Sequence, residues 1–435
     1  MENFKEILKK YLSFKTVSTD KNYQKEILAC VQFLKTLLEK NKFKTKIISN
    51  FGNPLVLAEL NNQAKETILI YGHYDVQPAA KEDGWRNDPF SLFEDKNKFY
   101  GRGVVDNKGQ NLIHLYTLFK LNQENNLGYN IKVLLEGNEE TGSEKLEKFL
   151  RTYKNLLKAD AILISDGEIV DHLPIIDAGF RGVINLEITF QTAKYDFHSG
   201  LYGGIIPNSL HETIKILSTF FDSTDKVLIN GFYKGIEPID KKIILNNKKI
   251  PFDENKFKKT SGIKKLFTQD LDFYTKTGLW ATLQLTGLSG GYTGEGFRNS
   301  VPAKTIVKIN IRFVENQSVK EIIKSLKQHL KKVSPPYVKY KIKVKEIAPA
   351  VKLELNNKYV QKAKELLKIV FKQEPIFKFS GGGLPIVAYF KKILKIPQVL
   401  VPLANEDCNM HSVNENFDKK LIEKGLKFSY LYFKK

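Results

Sequence analysis

The sequence is poor in cysteine, arginine and long apolar runs, and each shortage removes a class of explanation. Its two cysteines, Cys30 and Cys408, lie far apart. They form neither a metal-ligand spacing nor a disulfide framework, which fits a reducing, cytoplasmic setting. Of the 69 basic residues only six are arginine: Arg86, Arg102, Arg151, Arg181, Arg298 and Arg312. Base and phosphate recognition favours the planar guanidinium fork. The formal charge of +21 therefore reads as a lysine-rich solvated surface, and no nucleic-acid partner is expected. No apolar run approaches the ~18 residues of a membrane span. The opening MENFKEILKKYLSF has Phe4, Ile7, Leu8, Tyr11 and Leu12 at helical spacing, interrupted by charges. It is expected to be neither a signal peptide nor a membrane anchor. No internal repeat and no low-complexity linker is present.

What is there is enough chain for two cores. The 435 residues exceed the roughly 250–300 at which one core stops growing. Periodicity predicts helices over 22–41, 107–122 and 144–157, and strands at Val56–Leu60, Thr67–His73, Ile131–Leu135 and Ala161–Ser165. Short apolar strands alternating with helices imply a mixed α/β sheet with helices on both faces. After Arg181 the texture changes. Alternating strands at Val183–Phe190, Lys304–Arg312 and 338–346, with helices at 208–220 and 319–332, suggest a separate α+β unit. Residues 221–280 give few firm signals. From about 350 the α/β pattern resumes, with a helix at 356–371, strands at 374–379 and Gln398–Val401, and a final helix at 417–433. The expected division is 1–181 with 350–435, interrupted by an inserted domain at 182–349.

Five short motifs carry candidate chemistry. GHYDVQP ends a buried strand on His73, with Asp75 two residues on, on the same side of the strand. A metal-bound histidine needs a carboxylate to fix its tautomer; a strand-end histidine bonded to a turn aspartate is the plain alternative. YGRGVVDNKGQ surrounds Asp106 with glycines. It matches no phosphate-binding loop, so the glycines are expected to turn the backbone tightly and aim Asp106 inward; a simple helix cap is the alternative. EGNEETGS places Glu136, Glu139 and Glu140 within five residues. Like charges at a strand end repel unless cations or protons neutralise them, and neighbouring Glu139 and Glu140 point apart, so one can bind metal while the other holds a water. An acidic first turn of a helix is the alternative. ILISDG ends a strand on Asp166, and CNMHSVNE puts His411 in a loop before the last helix. Of seven histidines, His114, His172, His211 and His329 lack such context and read as structural or surface residues. Together, two histidines and three carboxylates, one of them bridging, suit two divalent ions.

The ordered motifs resemble a known family, the dinuclear-zinc amidohydrolases and peptidases that include aminoacylase, acetylornithine deacetylase, glutamate carboxypeptidase and carnosinase-like dipeptidases. GHYDVQP with GWRNDPF, YGRGVVDNKGQ, EGNEETGS, ISDG, FHSG, RNSVPAK, IRFVENQ and HSVNE fall in the family's order from about residue 60 to 415. The dipeptidase branch is most similar. The resemblance implies that His73 and Asp166 ligate one metal, that Glu140 and His411 ligate the other, and that Asp106 bridges them. Zn²⁺ is implied, with Mn²⁺ or Co²⁺ able to substitute. It also implies Glu139 as general base, Asp75 as the residue orienting His73, and an inserted lid that dimerises. His198 matches a histidine that in dimeric members reaches the other subunit's site, and Asn299 and Arg312 match substrate-holding positions. Without the resemblance, His198 could be a turn histidine held by Asp196 and Ser199, Arg312 a surface ion-pair residue, and Asn299 a turn former.

One stretch departs from the pattern. Carnosinase-like members carry Arg-Glu-Gly-Gly-Ser where this chain has Phe379, Ser380, Gly381, Gly382 and Gly383. Gly383 can still offer a backbone N–H to a carboxylate. The expected activity is hydrolysis of an amide in a dipeptide or short peptide with a free carboxylate, by a water that the metals activate and Glu139 deprotonates. An N-acyl amino acid deacylase would use the same site. A catalytically dead, basic binding protein is the alternative of another class.

Overall fold

The computed structural model describes residues 2–268 and 270–435. Its central sheet has six strands in the spatial order Lys44–Ile48, Leu55–Leu60, Asn130–Glu136, Thr67–His73, Ala161–Ile164 and Gln398–Leu400. The last four are mutually parallel, and the first two extend the sheet antiparallel. Thr67–His73 lies inside, paired on both sides. Its alternation explains why both faces are covered. Ile68 and Ile70 enter one core with Leu112, Leu34 and Phe428, whereas Leu69 and Tyr71 enter a second with Phe149 and Phe390. Each fully buried aliphatic side chain contributes about 1.5–3 kcal/mol, so this strand holds both layers together. Helices Glu2–Leu12, Gln24–Lys40, Lys108–Gln123, Lys358–Phe371 and Lys419–Phe433 contribute to the first layer. Helices Leu146–Thr152 and Pro385–Ile393 contribute to the second.

A four-stranded antiparallel sheet forms elsewhere, in the order Thr282–Gly290, Lys304–Phe313, Gly182–Gln191 and Lys339–Ala348. One face packs on helices Ser209–Ser218 and Val319–Val333, and its core draws only on residues between Ile184 and Val338. The chain is thus an α/β sheet structure carrying an inserted α+β unit, as the periodicity implied. A three-stranded sheet of Val351–Lys352, Ile175–Phe180 and Ile376–Ser380 joins the two. No helix among the described residues is long and apolar enough to cross a membrane. Both cysteines are free and buried.

Several expectations need correction. The helix expected over 144–157 spans only Leu146–Thr152. Lys44–Ile48 and Thr282–Gly290 are strands that periodicity did not reveal. Both lie at sheet edges, are largely exposed, and so lack a clean alternation; the second also carries a bulge between Leu285 and Gly287. The quiet region contains three short helices, Lys241–Asn247, Glu254–Ser261 and Phe273–Leu279.

Candidate metal centre

The parallel strands deliver three motifs to one edge of the sheet. His73 and Glu136 stand opposite each other in register, and Tyr71 pairs with Ile164, two residues before Asp166. This is the carboxyl end of the strands, where ligands of open α/β sheets gather. Asp106 arrives from a turn in which Gly103 adopts φ +86°, a conformation that disfavours any side chain. At Gly109 a Cβ would stand 1.8 Å from the Val104 carbonyl oxygen, so only glycine lets the following helix start this close to the turn.

The five residues converge. His73 is fully buried. Its Nε2 lies 3.0 Å from Asp106 Oδ1 and 3.6 Å from Asp166 Oδ2. The other carboxylate oxygen of Asp106 is 2.8 Å from His411 Nε2, which is also 3.3 Å from Glu140 Oε2. Two groups result, His73–Asp106–Asp166 and Asp106–Glu140–His411, each offering ligand atoms within 4.8 Å of one another. Asp106 belongs to both, one oxygen facing each histidine. Despite its close neighbours, buried His73 Nε2 has no partner in hydrogen-bond geometry. A buried, unsatisfied imidazole nitrogen among carboxylates is the donor set that a divalent ion completes.

The electrostatics point the same way. Burial pushes the Glu139 carboxyl well above its ordinary range, and Asp166, Asp106 and Glu140 add to it. Burial, with Asp106 next, raises Glu140 to about 7. Burial also raises Asp166. Asp106 is the exception: burial opposes its ionisation, but His411 and His73 together hold its pKa low. So many carboxyl groups cannot ionise together without added positive charge.

Surrounding groups fix this geometry, and sequence reasoning missed most of them. His73 Nδ1 meets the backbone oxygen of Asp75 at 3.1 Å and its carboxylate at 3.3 Å. The Asp75 carboxylate also accepts the backbone N–H groups of Glu139 and Glu140, so one residue aligns two motifs. Gln77 Nε2 donates to Glu140 at 2.7 Å. Glu136, grouped with the other acids by sequence, belongs to neither metal-competent group. It is buried, accepts from Tyr71 and Ser143, and is raised by burial to about 7.

Glu415 is the largest omission. Fully buried, it accepts the N–H groups of Gly103, Val105 and Asp106 and pairs with Arg102 at 2.7 Å. Arg102 in turn stacks over Trp85. Because Glu415 stands four residues after His411, it clamps the His411 loop to the Asp106 turn. Its place in HSVNE was the available signal.

The remaining candidates lie elsewhere. His198 and Asn299 are exposed neighbours on a two-stranded ribbon, where His198 pairs with Ser300 and the Asn299 carbonyl accepts from Ser199 N–H. His198 Nδ1 accepts from Gly200 N–H at 3.0 Å, and neither Asp196 nor Ser199 holds its ring. Among the described residues no hydrogen bond or ion pair joins either residue to the metal-competent groups. Among the described residues Arg312 forms no ion pair, although the charge of Glu346 reaches it. Its Nη1 would stand 3.7 Å from a Cβ at Gly383.

A parallel sheet that ends in two histidine–carboxylate groups sharing one aspartate is the layout of a metallohydrolase. The chain belongs to peptidase family M20/M25/M40, which matches residues 69–435. It is 31% identical to the Cys-Gly metallodipeptidase DUG1 of Candida albicans, over 99% of this chain and 94% of that protein. It is 32% identical to the human Beta-Ala-His dipeptidase, over 87% of this chain and 77% of that one. The crystal structure of an M20 family metallo-carboxypeptidase, Sso-CP2 from Sulfolobus solfataricus, matches with a TM-score of 0.88 and 29% identity, covering 99% and 98% of the two chains. The expected family and fold are both as observed.

Proposed function

We propose that this chain is a cytoplasmic dinuclear metallopeptidase that hydrolyses dipeptides or short peptides with a free C-terminal carboxylate. The observation that carries the reading is the shared carboxylate of Asp106 between two metal-competent groups. The naming of its relatives as dipeptidases supports the substrate class. His73 and Asp166 would hold one ion, Glu140 and His411 the other, and Asp106 both; Zn²⁺ suits this donor set, and Mn²⁺ or Co²⁺ could replace it. Two such ions would supply Lewis acidity and would lower the pKa of a water between these residues.

The residues themselves do the rest. Glu139 takes the proton from the attacking water and passes it to the leaving nitrogen. Asp75 keeps His73 in one tautomer and, through two backbone N–H groups, sets where Glu139 points. Arg312 and the backbone at Gly383 receive the substrate carboxylate. His198 and Asn299 stabilise the oxyanion. They reach the site when the inserted unit, residues 182–349, closes as a lid or is met by a second copy. A homodimer through this unit is supported by its exposed apolar side chains, among them Leu201, Ile205 and Phe297.

The test is metal analysis of the purified protein together with a panel of dipeptides and N-acyl amino acids. Two ions per chain and turnover of dipeptides are expected. Turnover of N-acyl amino acids alone would reassign the substrate, and metal-loaded protein that turns over neither would refute the enzyme reading.

A further inference from the structure

The segment that departs from the family pattern lies between two guanidinium groups. Strand Ile376–Ser380 runs beside the Asp166 loop, where Lys378 Nζ donates to the Glu168 carbonyl at 3.1 Å. Gly381 to Gly383 follow directly on this strand. Arg181 Nη2 would stand 2.9 Å from a Cβ at Gly381, and Arg312 Nη1 3.7 Å from one at Gly383. Gly381 therefore leaves room that Arg181 occupies, and Gly383 lies in ordinary contact range of Arg312. Helix Phe273–Leu279 closes the same end. A Cβ on Gly278 would meet the Phe379 carbonyl at 2.2 Å.

Among the described residues neither guanidinium pairs with a carboxylate. Arg181 donates to the carbonyl oxygens of Trp280 and Gly381, and it reaches the Thr282 hydroxyl. Among the described residues it meets no carboxylate, and Arg312 has no hydrogen-bond or ion-pair partner at all. Glu346, whose charge reaches Arg312, is engaged by Asn185 Nδ2 at 2.6 Å. Burial, then repulsion from Arg312, lowers Arg181 to about 10. Burial, then Arg181, lowers Lys276 on the adjoining helix to about 8. Two half-buried guanidinium groups held together with no carboxylate beside them are costly unless a ligand brings the opposite charge. One substrate carboxylate balances one cation and leaves the other.

We propose that Arg181, beside the Arg312 and Gly383 that receive the first carboxylate, forms a subsite for a second carboxylate, so that the enzyme prefers peptides ending in an acidic residue. This rests on the dipeptidase reading above. Ser380 and Gly383 contribute no charge, so selection falls on the two guanidinium groups, each able to grip a carboxylate through parallel N–H donors. An isosteric amide in place of the side-chain carboxylate leaves Arg181 desolvated and unpaired.

The test compares Gly-Glu with Gly-Gln, and Gly-Asp with Gly-Asn, on metal-loaded protein. Wild type is expected to favour each acidic peptide by about tenfold or more in kcat/KM, mainly through KM. Arg181→Gln should bring the ratio towards one, and Arg181→Lys should restore part of it. A purely structural Arg181 would lower both members of a pair alike and leave the ratio unchanged, which overturns the proposal. Calorimetric titration of wild type with glutamate and glutamine gives a second measurement that needs neither variant nor turnover. Tighter binding of glutamate supports the subsite even if no dipeptide is cleaved, a result that would sink only the dipeptidase reading. Equal binding, or equal turnover within each peptide pair, sinks the subsite and leaves the dipeptidase reading standing.

Discussion

The Asp106–His411 side of the molecule and the His198–Asn299 side hold their polar groups by opposite means. On the first, His73 and Glu415 are fully buried. Asp75, Gln77, Glu136 and Glu415 each bind across segments distant in sequence. On the second, His198 and Asn299 are exposed on a short ribbon, and Phe297 beside them is wholly solvent-facing. The difference separates what one chain can preorganise from what awaits closure or a second copy. Metal binding should depend on the first side alone, and turnover on both.

The largest effect should come from Glu139→Gln. It removes the proposed proton carrier and leaves every metal-competent group in place, so kcat should fall about 10²–10⁴-fold while metal content by mass analysis stays at two ions. Near-normal turnover would remove Glu139 from the mechanism. Next in size is Glu415→Gln. A neutral amide cannot accept from three backbone N–H groups and Arg102 as the carboxylate does. Metal affinity should weaken about 10–100-fold, read by competition with a chromogenic chelator. His198→Ala should lower kcat without moving that affinity. Equal loss of affinity in both variants would erase the contrast between the two sides.

The same contrast predicts acid sensitivity. His114 is buried between Ser165 and Ser429, and burial alone lowers its pKa to about 3. The unfolded chain should titrate it near the ordinary ~6.5. Between those values the unfolded state binds the extra proton, so stability is lost as pH falls from ~6.5 towards 3. The loss is at most about 1.4 kcal/mol per pH unit from this group. His114→Gln should flatten the pH dependence of denaturant midpoints in metal-free protein. His329, bonded to Thr219 at 2.8 Å on the inserted unit, is only partly buried and shifted the same way. His329→Gln should change the slope less, and a larger change there would reverse the assignment.

Legibility followed burial. Thr67–His73 was read end to end because a strand covered on both faces must be apolar throughout. The metal-competent residues were legible because each closes such a strand or the loop beside it. Lys44–Ile48 and Thr282–Gly290 were not, because an edge strand facing solvent keeps no strict alternation. The helices between 241 and 279 are too short to show a period, although Asp240, Asp253 and Asp272 cap them and were the available sign. Glu415 and Arg181 escaped for another reason. Most of their partners are backbone atoms of remote segments, which residue patterns do not record; only the place of Glu415 in HSVNE hinted at its role.

The smallest expected effect tests whether the two sides are separate folding units. Asn208 caps helix Ser209–Ser218 in the inserted unit, and Asn357 caps helix Lys358–Phe371 on the central sheet. Each side chain accepts two backbone N–H groups that would otherwise lack partners. Replacing either by alanine should cost about 1 kcal/mol, a shift of about 2–4 °C for a unit of 150–250 residues. The core of the inserted unit draws only on its own residues, while metal binding stabilises the sheet side by mass action. Added metal should therefore separate two transitions in calorimetry. Asn208→Ala should lower only the first to melt, and Asn357→Ala only the metal-dependent one. If both variants shift one common transition equally, the junction at Arg181 and the three-stranded sheet couples the halves too tightly for either to unfold alone.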